Sequence, residues 1–252
     1  MELWFALTLL AIGFVAILYS SVGHGGASGY LAVLSLSSFA GNDSAWLKQH
    51  AWTLNLVVAS IAFYHYWRSG HHIPKLTFPF IVASIPFALV GGYLSISGGI
   101  YDLLLSIALI WAAYRLLIVN NMEEKRENID VDMKVALPVG GSIGFFSGVI
   151  GVGGGIFLSP ILLLKGWATP KSAAATAALF IWVNSAAGLA GAALSGQIIL
   201  EFEVLIWFVG VVVVGGFIGS HYGAFFASQT KIRKILIVVL FFAAAKRIIG
   251  LF

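Results

Sequence analysis

Hydrophobic residues form long stretches along the chain, and polar residues are gathered between them. A helix that crosses the hydrocarbon core of a bilayer needs about 20 predominantly apolar residues. Several stretches meet that requirement, so the pattern predicts an all-α polytopic membrane protein. The predicted spanning helices are 46–67, 75–96, 98–119, 171–193, 201–226 and 231–250.

Two further apolar stretches, at 3–39 and 135–164, are each interrupted by a cluster of glycines. Glycine is unfavourable inside a helix and adopts backbone conformations that other residues avoid. We therefore expect each stretch to be a broken helical hairpin, either re-entrant or crossing the membrane twice. The residues of the two breaks are Gly23, His24, Gly25 and Gly26 in the first and Gly151, Gly153, Gly154 and Gly155 in the second.

The two halves of the chain resemble each other. The first three glycines of each break are separated by 128 residues, and Asn55 precedes Asn184 by 129. The only long polar stretch, 120–134, lies between the halves. We predict a first repeat at 1–119, a cytoplasmic linker at 120–134 and a second repeat at 135–252, each with one broken hairpin and three spanning helices.

The basic residues indicate how the two repeats are oriented. Cytoplasmic loops of membrane proteins are enriched in Lys and Arg. If each broken hairpin enters and leaves on one side, 11 basic residues lie inside and 3 outside, whereas a single crossing gives 8 and 6. The first arrangement inverts the second repeat relative to the first, as in many secondary transporters.

Composition narrows the function classes. The chain is 60% hydrophobic and 10% charged, whereas soluble domains are typically about 25% charged. A soluble enzyme and a nucleic-acid-binding protein are therefore excluded, and the net charge of +4 relates to membrane topology. The absence of cysteine rules out disulfides, thiolate nucleophiles and cysteine metal ligands.

Acidic residues are missing from the middle of every apolar stretch. Buried carboxylates are the usual parts of proton relays and cation sites, so their absence favours an anion as the substrate. Backbone N–H groups at a helix N-terminus bind anions without a charged side chain. We expect the helices after Gly26 and Gly155 to offer such N-termini near the middle of the membrane.

Three polar side chains are candidates to complete this site. Asn55 and Asn184 lie inside predicted spans at equivalent positions, where an amide binds either a neighbouring helix or a substrate. His24 lies inside the first break, and imidazole changes charge between about pH 5 and pH 8. A purely structural hydrogen bond is the alternative role for His24.

No cofactor or metal site is predicted. The second break lacks the last glycine of a dinucleotide-binding motif and the Lys-Ser/Thr of a P-loop. His65, His71 and His72 fit an interfacial aromatic belt better than a zinc site. Gly26-Ala27-Ser28-Gly29 resembles the serine motif of rhomboid intramembrane proteases, but the Trp-Arg and histidine motifs follow Ser28 here, in the wrong order.

The glycine breaks carry a clearer resemblance. Residues 20–30, Ser-Ser-Val-Gly-His-Gly-Gly-Ala-Ser-Gly-Tyr, and 148–160, Gly-Val-Ile-Gly-Val-Gly-Gly-Gly-Ile-Phe-Leu-Ser-Pro, resemble the sulfite exporter TauE/SafE family. The run from Thr169 to Asn184 is also similar, and the likeness extends over the whole chain. The resemblance implies a transporter in the inner membrane that moves sulfite or related organosulfur anions, usually outward.

The sequence therefore predicts a multi-pass transporter of a small inorganic or organosulfur anion, bound between the two breaks. An anion channel is the alternative, and an intramembrane serine hydrolase is a distant one. The small-residue helix faces permit a homodimer without requiring one.

Overall fold

The computed structural model of the chain describes residues 2–94 and 131–227, together with the helical positions 103, 104, 106, 107, 110, 111 and 114. The continuous ranges contain eight α-helices and no strand. These are α1 (Glu2–Ser20), α2 (Ala27–Ser35), α3 (Ser44–Arg68), α4 (Pro74–Tyr93), α5 (Met133–Ile150), α6 (Gly155–Leu164), α7 (Pro170–Leu194) and α8 (Phe202–Phe225).

Five of these helices are long and apolar enough to cross a membrane: α1, α4, α5, α7 and α8. The spans predicted at 75–96, 171–193 and 201–226 are therefore confirmed as α4, α7 and α8. The stretch 46–67 forms the 25-residue helix α3, which is more polar because it carries Lys48, Gln49 and His50.

Other predicted features lie outside the described residues. The linker is described only from 131 onward, the span 231–250 is not described, and the span 98–119 is described only at isolated helical positions.

Glycines allow neighbouring helices to approach to backbone contact, and the contacts reveal the helix directions. A methyl group at Gly215 would lie 2.5 Å from the Gly13 carbonyl oxygen, and one at Gly219 would collide with that of Ile17. Both residue numbers increase together, so α1 and α8 run parallel. Such close packing of small residues is common between membrane helices.

Helix α4 runs parallel to both α5 and α7. Successive glycines of α5 contact successive residues of the α4 backbone, so the residue numbers of both helices rise together. The Thr77 and Thr176 hydroxyls lie 2.9 Å apart near the starts of α4 and α7. The successive α5–α4 pairs are Gly140 with Phe80, Gly144 with Ser84, and Gly148 with Ala88.

Helix α3 is antiparallel to α7 and parallel to α8. Asn55 bonds to Ser185 while Trp52 packs on Gly188, so the α3 numbers fall as the α7 numbers rise. Against α8, the register advances from the His50–Glu201 bond of 3.3 Å to the His65–Ser220 bond of 2.7 Å. Helices α1, α3 and α8 thus run one way, and α4, α5 and α7 run the other.

The short helices fold back from the breaks. Helix α2 returns along α1, because Ser28 bonds to Tyr19 while the next residue, Gly29, contacts Val15. Helix α6 starts beside the middle of α7. Trp167, just beyond its end, lies 6.2 Å from the Phe80 ring near the start of α4.

Candidate functional site

The two glycine breaks meet in the interior, at the midpoints of α3 and α7. A methyl group at Gly25 would collide with Asn55 Oδ1 and lie 2.9 Å from Ile181 Cγ2. A methyl group at Gly153 would lie 2.5 Å from Asn55 Nδ2 and 3.0 Å from the same Ile181 atom. Only glycine fits at either position without displacing these side chains. The structure thus places the two breaks side by side against the side-chain amide of Asn55.

The backbone of the breaks adopts conformations that favour glycine. Gly26 and Gly154 are the N-cap residues of α2 and α6, with φ of 104° and 83°. Left-handed backbone is strained for residues with a Cβ. The glycines therefore let each chain turn sharply, so that a short helix starts within the protein with its N-terminus facing inward. Gly23, Gly151 and Gly153 also have positive φ.

Asn55 is a structural link between the two halves. It is fully buried, and its Oδ1 accepts a 2.9 Å hydrogen bond from the Ala27 N–H, the first of α2. Its Nδ2 donates to Ser185 Oγ on α7 at 3.2 Å. The side chain thereby satisfies one of the free N–H groups at the start of a helix. Asn55 holds α2 against α3 and α7.

Asn184 makes different contacts from Asn55. Its Nδ2 donates to the Phe180 carbonyl of its own helix at 2.8 Å. Its buried Oδ1 has no hydrogen-bond partner among the described residues. The two asparagines are equivalent in the sequence, but only Asn55 caps a short helix.

His24 connects the first break to the second half. Its Nδ1 lies 2.8 Å from the Val22 carbonyl oxygen, and its Nε2 lies 3.3 Å from Ser159 Oγ on α6. The ring is 7% exposed. Both the structural role and a role in transport are compatible with this position, because the imidazole bridges the two elements that form the breaks.

A buried cation lies beside the second break, and the sequence did not single it out. Lys48 is 1% exposed, and its Nζ donates to the Leu94 carbonyl at 3.1 Å. A methyl group at Gly151 would lie 2.5 Å from Lys48 Cβ. Along the chain Lys48 is an isolated charge near one end of a predicted span. Only the packing of the break on α3 makes it a neighbour of the site.

Ser147 is a second residue that the sequence did not indicate. It is fully buried near the end of α5, and its Oγ has no hydrogen-bond partner among the residues that the structure describes. A methyl group at Gly154 would collide with that oxygen. A serine in an apolar helix carries no distinctive sequence signal, because most bond to their own helix backbone.

The serine and histidine motifs are placed elsewhere. Ser28 Oγ lies 2.9 Å from the hydroxyl of Tyr19. His65 bonds to Ser220 on α8, and burial lowers the pKa of His72. Among the described residues, no group of three or more His, Asp or Glu side chains is arranged to hold a metal ion.

Comparison with known proteins extends over almost the whole chain. The profile of the family described as sulfite exporter TauE/SafE matches residues 8–247. A probable membrane transporter protein from Sinorhizobium fredii is 33% identical over 243 residues, which cover 94% of this chain and 96% of that protein. A probable membrane transporter protein from Xylella fastidiosa is 34% identical over 96 residues, or 38% of this chain and 36% of that protein. No solved structure matches the chain.

The family match agrees with the five helices of membrane-spanning length. Together they identify a multi-pass membrane protein of a transporter family. The chain belongs to the sulfite exporter TauE/SafE family.

Proposed function

We propose that the protein is a secondary transporter of a small anion, most specifically sulfite or a related organosulfur anion, which binds between the two glycine breaks. One observation carries the proposal: both breaks contact Asn55 and Ile181, and a short helix starts from each break at that point. The partially positive N-termini of α2 and α6 are therefore directed toward one interior region, and helix N-termini favour anions.

Charge distribution supports an anion over a cation. No Asp or Glu occurs in either break, whereas cation carriers commonly use buried carboxylates. Among the described residues, the buried basic side chain nearest the second break is Lys48. A negatively charged substrate would be attracted to this region, and backbone dipoles would replace part of its hydration.

The helix directions support an inverted repeat. Equivalent helices of the two halves, α1 and α5, α3 and α7, and α4 and α8, run in opposite directions according to their contact registers. The packing partners also exchange between the halves, since α1 packs on α8 and α5 packs on α4. Inverted repeats around broken helices are a common transporter architecture with a midplane site.

Alternating access is the mechanism that we propose for this architecture. The breaks pack tightly against α3 and α7, so an anion reaches the site only when the surrounding helices move apart. Rocking of one repeat against the other would open the site to each side in turn. Transport outward is the expectation that the family name supports, and residence in the inner membrane is part of the same proposal.

Reconstitution in liposomes tests the function directly. Purified protein should accelerate the flux of sulfite, or of another member of a panel with sulfate, thiosulfate and sulfonates. A transporter should saturate with substrate concentration, whereas a channel should not. Absence of flux for every anion in the panel would contradict the proposal. Covalent labelling of Ser28 by a serine-reactive probe would instead favour a hydrolase.

Substitution within the breaks tests the location of the site. Gly153→Leu should abolish flux while folded protein remains in the membrane. Gly25→Ala adds only a methyl group against Asn55, where the backbone φ is not positive, and should strongly reduce flux. Gly41→Ala is the matched control, because open space surrounds Gly41. Normal flux by both break variants would refute this site.

A further inference from the structure

The two breaks differ in how the N-termini of their short helices are satisfied. The first N–H of α2 donates to Asn55 Oδ1. The N-cap residue of α6, Gly154, has no side chain to cap the helix, and among the described residues no side chain accepts a hydrogen bond from the first N–H groups of α6 as Asn55 does at α2. Its first backbone bonds run from Phe157 and Leu158 to the Gly154 carbonyl. The N–H groups of Gly155 and Ile156 are thus left for another acceptor.

A buried hydroxyl is directed at the uncapped helix. Ser147 Oγ is fully buried and has no partner in the described part of the chain. It lies where a methyl group at Gly154, the N-cap of α6, would collide with it. Other buried serines in these helices, such as Ser35 and Ser84, donate to a carbonyl three residues earlier. Ser147 leaves that bond unmade, although an unsatisfied buried hydroxyl costs free energy.

We propose that the transported anion binds at the second break, where Ser147 Oγ and the N–H groups of Gly155 and Ile156 donate hydrogen bonds to it. This inference rests on the proposed function and assigns the binding groups to one of the two breaks. Asn55 occupies the corresponding place at α2, so the first break contributes structure more than binding. Several neighbouring donors are suited to an anion with several acceptor oxygens.

Lys48 is positioned to assist this site. The chain from Gly151 to Gly154 spans at most about 11 Å, and Gly151 packs directly on Lys48. Because the Gly151 N–H also bonds to the Ser147 carbonyl, the Lys48 backbone lies near the same end of α5 as Ser147, while its Nζ reaches the Leu94 carbonyl. When protonated, Lys48 adds a favourable long-range interaction with an anion at α6, because charges are weakly screened in a low-dielectric interior.

Binding and transport by serine variants test the proposal. Ser147→Ala should raise the half-saturating sulfite concentration by about 10-fold or more, as expected for losing a hydrogen bond to a charged acceptor. The same shift should appear in the sulfite concentration that stabilises the detergent-solubilised protein against thermal unfolding. Ser147→Cys, with similar volume and a weaker donor, should give an intermediate value.

Two control variants make the test specific. Ser84→Ala removes a buried hydroxyl that bonds within α4 and should leave the half-saturating concentration unchanged. Tyr30→Phe removes a buried unpartnered hydroxyl that lies beside Gly26 in the first break. It should change the half-saturating concentration less than about two-fold. If Tyr30→Phe raised the half-saturating concentration as much as Ser147→Ala, the site would be shared by both breaks and the assignment would be overturned.

Failures of the two proposals are distinguishable. If the wild-type protein transports an anion and Ser147→Ala keeps its half-saturating concentration, the binding assignment is wrong and the transport function stands. If the wild-type protein neither transports nor is stabilised by any anion in the panel, the proposed function and this inference both fail.

Discussion

At the scale of single residues, buried side chains at matching positions of the two halves make different contacts. Asn55 caps α2, whereas Asn184 bonds within its own helix. His24 has Val152 as its counterpart in the second break. The chemistry of the two breaks has therefore diverged while their glycines have stayed alike.

Removing the Asn55 amide should destabilise the fold. Asn55→Ala leaves the Ala27 N–H and the Ser185 hydroxyl without this partner in a buried site, and loss of an N-cap costs about 1–2 kcal/mol. We expect a lower thermal unfolding midpoint in detergent. Asn42→Ala, in the loop before α3, is the control. An unchanged midpoint for Asn55→Ala would show that the cap contributes nothing to stability.

His24 should determine how transport depends on pH. Imidazole is the side chain that changes charge near neutrality, and His24 bridges the first break and Ser159. His24→Ala should flatten the pH profile of anion flux in liposomes between about pH 5 and pH 8. A profile that keeps the wild-type shape would remove His24 from the mechanism.

At the scale of elements, the start of α3 holds the ends of other helices in place. Gln49 is fully buried; its amide donates to the Gln197 carbonyl at 2.5 Å and accepts from the Ile199 N–H at 2.7 Å. His50 Nε2 accepts from the Glu201 N–H at 3.3 Å. The loop between α7 and α8 is thereby attached to the first half of the chain. These bonds make α3 a fixed support against which the site is built.

Breaking the Gln49 contacts should loosen that loop. Gln49→Leu removes both bonds, so amide hydrogen exchange across 195–201 should accelerate, because exchange follows local opening. Thr53→Val is the matched control, since the Thr53 hydroxyl bonds only to its own helix at the Gln49 carbonyl. Equal exchange in Gln49→Leu and wild type would show that the loop is held by other contacts.

At the scale of the whole molecule, the parallel and antiparallel contacts arrange the loops in two groups. The α2–α3 and α7–α8 loops lie at the starts of α3 and α8, which run parallel. The α3–α4 and α6–α7 loops lie at the starts of α4 and α7, which run the other way. Because α3 and α8 run opposite to α4 and α7, we expect these two groups of loops on opposite sides of the membrane.

Single cysteines test this topology, because the chain contains none. A membrane-impermeant maleimide should label Gly41→Cys and Ile198→Cys from one side of the membrane. It should label Arg68→Cys and Lys165→Cys from the other side. All four positions are exposed. Labelling of positions 41 and 165 from the same side would contradict the inverted arrangement.

The sequence by itself determined much about this protein. The apolar stretches predicted its helices, and the motifs at 20–30 and 148–160 indicated its family. These features are local, because the length and hydrophobicity of a segment decide whether it becomes a membrane-spanning helix. The glycine clusters likewise predicted that the helices would be interrupted, because glycine readily adopts the positive φ values that other residues avoid.

Only the tertiary structure decided which residues surround the breaks. Gly25 and Gly153 are distant in sequence and meet because α3 and α7 bring Asn55 and Ile181 together. The roles of Ser147 and Lys48 depend on the same packing, which periodicity along one helix does not encode. Helices in a bilayer associate through close packing and interhelical hydrogen bonds. The contacts that distinguish one buried polar residue from another therefore arise only when the helices assemble.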